Sequence, residues 1–163
     1  MKKFVIQMIL LLVVIAATFI LFSPTGQSQK IELPFLPHPV ISKALLINGS
    51  KLKVEIADTE SKRNKGLSDR DSIATDSGML FIYPNVGKHV FWMKGMKFPL
   101  DFVWINQDKV VDLIPGVPPP AQGQKDADLP LYTSKSDADK ILEVNVGVIN
   151  KLNIKIGDTI KVE

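Results

Sequence analysis

Leu100-Asp101-Phe102-Val103-Trp104-Ile105-Asn106, then Gln107-Asp108, then Lys109-Val110-Val111-Asp112-Leu113-Ile114, is the stretch that decides the fold. Two runs rich in β-branched and aromatic residues flank a two-residue polar break, which reads as a β-hairpin. Upstream, Ala44-Leu45-Leu46-Ile47 and the alternating Leu52, Val54 and Ile56 flank Asn48-Gly49-Ser50, a second hairpin with one wet face. Short apolar runs at Met79–Tyr83 and Val90–Met93, bounded by glycine and proline, add strands buried on at least one face. Lys140–Val144 and Thr159–Val162 supply the last two strands.

Helical signals are few. Asp58 is placed to cap a short polar helix over Thr59–Lys65 that ends at Gly66, and Val146–Leu152 has room for one more short helix. The expected fold is therefore mainly β (α+β): a small barrel-like, mostly antiparallel sheet with two short helices. Pro115–Pro130, with five prolines, interrupts the strands and is the natural candidate for a lid over a site.

The 163-residue chain opens on Lys2 and Lys3, followed by a 19-residue run from Phe4 to Phe22 broken only by Gln7 and Thr18. A helix of that length just spans a hydrocarbon core. The expected organisation is residues 1–3 in the cytoplasm, residues 4–22 as a transmembrane anchor in the lipid bilayer, residues 23–41 as a proline-rich tether, and residues 42–163 as one β domain outside the cytoplasm. The rival reading is a cleaved signal peptide and a secreted domain. Of 20 Lys and Arg residues, the two at the N-terminus belong to targeting; the other 18 balance 17 acidic residues, which argues against nucleic-acid binding. Cysteine is absent, so disulfides, thiol nucleophiles and zinc–thiolate sites are excluded.

Five blocks, Gly66-Leu67-Ser68-Asp69-Arg70, Gly78-Met79-Leu80-Phe81, Phe91-Trp92-Met93-Lys94-Gly95-Met96, Pro99-Leu100-Asp101 and Leu142-Glu143-Val144-Asn145-Val146-Gly147, with Gly157-Asp158 after them, resemble the DUF192 family in order and spacing. The resemblance implies a compact β-barrel-like domain, often exported, with no established activity. Many bacterial relatives carry a cysteine-containing insert where this chain has Pro115–Pro130. The resemblance therefore implies a lid held here by proline stiffness or packing.

Among polar residues, Trp92 and Lys94 would share one strand face with Asp101 opening the next strand, a stacking platform beside opposite charges. The bland alternative is a core tryptophan and a Lys94–Asp101 ion pair. Glu143 and Asn145 share a face of their strand, and Arg70 is suited to a carboxylate, as a ligand contact or as a scaffold partner of Asp101 or Glu143. The candidate ligand-binding set is Arg70, Trp92, Lys94, Asp101, Glu143 and Asn145, and the candidate catalytic set is Asp101, Glu143 and Lys94. His38 and His89 lack neighbours at metal-ligand spacing, so no metal or other cofactor is expected. Three functions remain open: a module binding a small polar ligand or envelope polymer, a hydrolase or lyase acting on envelope carbohydrate or peptide through Asp101 or Glu143 as general base, and a structural interaction domain.

Overall fold

The computed structural model describes residues 2–21 and 41–163. The expected tether lies outside the described residues except for its last, Ile41. The chain divides into two compact units, Met1–His38 and Pro39–Glu163. The first contains helix α1, Lys2–Leu21. Over the described residues, no helix is long and apolar enough to cross a membrane.

The second unit is built on a seven-stranded sheet. Its strands are β1 (Ser42–Ile47), β2 (Ser50–Ala57), β3 (Ser77–Gly87), β5 (Leu100–Asn106), β6 (Lys109–Val117), β8 (Ala138–Asn145) and β9 (Ile160–Val162). They run in the order β6-β5-β8-β3-β2-β1-β9, while β4 (Val90–Phe91) and β7 (Tyr132–Thr133) form a separate ribbon. Both expected hairpins are present, with Asn48 and Gly49 in the first turn and Gln107 in the second at positive φ. All pairs are antiparallel except β2–β3, which are parallel and joined through helix α2 (Glu60–Lys65). A parallel pair needs a crossover, and α2 with the loop after it is that crossover.

The sheet curls until its edges meet at one end. Lys109 bridges Thr159, and the N–H groups of Val110, Gly157 and Ile160 donate to the carbonyls of Asp158, Val110 and Asp108. The result is a half-barrel with one closed corner. One face of the sheet carries Leu45, Val54, Leu80, Val103, Leu142 and Val144; the other carries Met79, Phe81, Phe102, Trp104 and Ile141, with Phe91 of the ribbon packed on it. This alternation follows from the period of two along each strand.

Three local expectations are corrected. Thr59, not Asp58, caps α2: its hydroxyl accepts from the Lys62 N–H, while Asp58 instead pairs with the Lys62 ammonium at 2.7 Å. The strand expected over Val90–Met93 stops at Phe91, because Met93 and Met96 close a turn through Gly95 at φ +70°. The segment Pro115–Pro130 is not wholly structureless, since β6 runs on to Val117 and a 3-10 turn forms at Asp126–Asp128 with Leu129 buried.

Candidate functional site

On the second face of the sheet lies a cleft of about 300 Å³. Glu143 lies at its base, flanked in register by Met79 of β3 and Phe102 of β5. Its side wall comes from α2 and the following turn, with Glu60, Arg63, Lys65 and Leu67, and its aromatic wall is Phe81, Tyr83, Phe91 and Trp92. Lys94 and Met96 complete the rim.

The backbone explains this arrangement. The Ser68 hydroxyl donates to the Lys94 carbonyl at 2.9 Å, and the Asp69 N–H donates to the Gly95 carbonyl at 2.8 Å. These bonds clamp the turn after α2 onto the turn after β4. Gly95 fits because a Cβ there would lie 3.1 Å from the Cβ of Ser68, at a φ that already disfavours a side chain. Beneath them, Phe81 and Phe91 meet edge to face at 5.0 Å, and Phe91 in turn contacts Phe102 at 5.9 Å.

Glu143 is 5 % exposed, and among the described residues no group hydrogen-bonds or ion-pairs with it. Removal from water disfavours the carboxylate, and burial pushes its pKa up to about 8. At neutral pH it is a protonated acid facing open space. The Tyr83 phenol is also raised, chiefly by burial. Its ring stacks on His89 at 3.6 Å, with the Arg63 guanidinium 4.9 Å from its centroid. Arg63 also donates to the carbonyls of Asp58 and Ile82, each at 2.9 Å.

The structure separates the residues that the sequence analysis grouped. Trp92 and Lys94 do border the cleft, from the turn after β4 rather than from a strand face. Trp92 is 57 % exposed and so is not core. Lys94 pairs with Asp126 of the proline-rich segment at 2.7 Å, not with Asp101. Asp101 is absent from the cleft. It faces Val144 across β8, whereas Phe102 faces Glu143, so the two carboxyls project from opposite sides of the sheet. It is fully buried and accepts three backbone N–H bonds, from Gly116, Gly147 and Ile149, each at 2.9 Å.

Arg70 and Asn145 likewise hold the scaffold. Arg70 binds both carboxylate oxygens of Glu55, at 2.6 and 2.7 Å, rather than Asp101 or Glu143. Asn145 donates to the carbonyls of Ile73 and Ala74, tying β8 to the crossover loop. Glu60, Arg63 and Tyr83 enter the cleft without having been singled out from the sequence. Their place depends on the parallel β2–β3 pairing, and no local pattern marks it.

A half-barrel with a buried, unpartnered acid at the base of an aromatic-walled cleft defines a small extended-sheet domain with a recess of ligand size. The chain belongs to the DUF192 family, described as an uncharacterized ACR, whose model matches residues 44–162. Two solved structures share the fold. One is a putative transcription regulator from Sinorhizobium meliloti 1021, at TM-score 0.69 and 24% identity, covering 78% of this chain and 98% of that one. The other is a protein of unknown function from Novosphingobium aromaticivorans DSM 12444, at TM-score 0.64 and 24% identity, covering 77% of this chain and 91% of that one. No curated protein matches.

Proposed function

We propose that this protein is a binding module whose Glu143 cleft holds a small polar ligand or the end of an envelope polymer, carried by a membrane anchor on the outer side of the membrane. The observation that carries the binding reading is a buried acid left without a partner inside an open cleft. Among the described residues, no group offsets the cost of taking this carboxyl's charged form out of water. A bound ligand would supply the missing partner. The anchor reading is supported by the apolar run Phe4–Phe22 behind Lys2 and Lys3, and the same charge bias favours a cytoplasmic N-terminus.

One observation favours a catalytic reading beside it. An acid held near pKa 8 is protonated at neutral pH and so can donate a proton in general acid catalysis. Paired-carboxylate chemistry with Asp101 finds no support, since that carboxylate lies on the other face with its oxygens bonded to backbone.

The test is a thermal-shift screen of the full-length protein against sugars, peptidoglycan fragments, amino acids and amines. A ligand at about 100 times its Kd stabilises the fold by about 2.7 kcal/mol. The expected hit is weakened in Glu143→Gln and in Trp92→Ala. A panel without a single hit would remove the binding reading and leave the structural interaction domain in its place.

A further inference from the structure

The charges around the cleft are unevenly satisfied. Its cations are all engaged: Arg63 with two carbonyls and the Tyr83 ring, Lys65 with Asp69 at 2.6 Å, and Lys94 with Asp126 at 2.7 Å. Its two acids, Glu60 on the rim and Glu143 at the base, have no ion-pair or hydrogen-bond partner among the described residues. The exposed indole of Trp92 has neither a ring nor a cation against it among those residues. Free carboxyls beside an open aromatic face are complementary to positive charge.

Building on the reading of the cleft as a ligand site, we propose that its ligand is an organic cation, a primary ammonium on an apolar or aromatic body, held by Glu143 and Glu60 with its body against Trp92. An ammonium beside Glu143 favours the carboxylate, so binding drives the acid's proton into solvent while the ammonium keeps its own. The groups that bear on this titration are Glu60, Arg63 and Lys65 of α2 with Asp69 behind Lys65, Tyr83 of β3 with His89 stacked on it, and Lys94 with Asp126. Burial already holds Glu143 protonated at neutral pH, which supplies the proton to be released.

The experiment compares phenethylammonium, phenylacetate and 2-phenylethanol by calorimetry on the full-length protein in nonionic detergent, followed also by tryptophan fluorescence. The expected result is binding of phenethylammonium roughly tenfold or more tighter than either other probe, the size of one charge-assisted hydrogen bond. Its enthalpy should differ between phosphate and Tris buffers near about pH 7, by the heat of buffering the released proton. Glu143→Gln should lose the preference and the proton release together, while Trp92→Ala, a change at an exposed site, should weaken the amine and keep the proton release. Phenylacetate or 2-phenylethanol binding as tightly as the amine overturns the cation assignment while leaving a Trp92-dependent ligand site standing. Phenethylammonium binding with no proton release, or equally well to Glu143→Gln, overturns it too, as does binding by none of the three probes. The broader screen then decides the site separately.

Discussion

Asp101 and Glu143 lie one register step apart on neighbouring strands and face opposite sides of the same sheet: Asp101 pairs with Val144, and Phe102 pairs with Glu143. These two buried carboxyls therefore sit in contrasting environments. Asp101 is saturated by the N–H groups of Gly116, Gly147 and Ile149, and so joins β5 to the end of β6 and to the start of α3 (Val148–Lys151). Removing it strands the buried Ile149 N–H, while the N–H groups of the exposed Gly116 and Gly147 can turn to water. Asp101→Ala is expected to destabilise the protein by about 1–3 kcal/mol, the cost of one buried donor left unsatisfied, and urea unfolding measures it. An Asp101→Ala protein as stable as the parent would contradict the scaffold role.

Glu143 is expected to make stability fall as pH rises. Its folded pKa of about 8 lies above the unfolded value of 4.5. Below 4.5 both states are protonated and the group is neutral in its effect. Between 4.5 and about 8 the unfolded chain releases the proton while the folded one holds it, so unfolding gains with each step in pH. At about 1.4 kcal/mol for each unit, the loss across that window is on the order of 4–5 kcal/mol. Glu143→Gln should flatten this part of the stability profile and be the more stable protein above about pH 7. Parallel slopes for the parent and the variant between pH 5 and 8 would show that Glu143 ionises freely in the fold, at about its ordinary pKa.

Strand content was legible from the sequence because period-two alternation and turn residues are local signals. Ala44–Ile56 and Leu100–Ile114 fold as the hairpins they spell. The pairing of Trp92 and Lys94 at one cleft was also legible, although the strand carrying them was not, since Gly95 turns the chain through a left-handed conformation. Arg70 was readable as a carboxylate binder, yet its partner Glu55 depends on how the crossover loop returns beside β2. Asp101 was the most misleading residue. Only the register of β5 against β8 reveals that it faces away from Glu143.

Gly78 shows how closely β3 and β8 pack. It lies opposite Val144 in the β3–β8 pair, and a Cβ there would come within 2.5 Å of the Glu143 carbonyl oxygen and 2.9 Å of Val144 Cγ1. Neither neighbour yields easily, since one is backbone in a central strand. Gly78→Ala is expected to cost about 1–3 kcal/mol by overpacking, read by chemical denaturation, and to weaken any ligand that depends on Glu143. A stability within about 0.5 kcal/mol of the parent, the usual range for a surface change, would mean that the strands separate without penalty.

The Arg70–Glu55 pair offers a check on whether the crossover loop is held by charge. The guanidinium bond holds the Glu55 carboxyl below its usual range, so its contribution is present above the unfolded value of 4.5 and is lost as pH falls through the lower folded value. Both side chains remain partly exposed, at 35% and 26%, which limits the contribution through solvent screening. A double-mutant cycle of Arg70→Ala and Glu55→Ala should give a coupling of about 1 kcal/mol, reduced in high salt. Arg70→Lys should recover less than half of it, because an ammonium cannot reproduce the two parallel bonds of the guanidinium. Equal coupling for lysine would show that net charge, and not the two-point geometry, holds the loop.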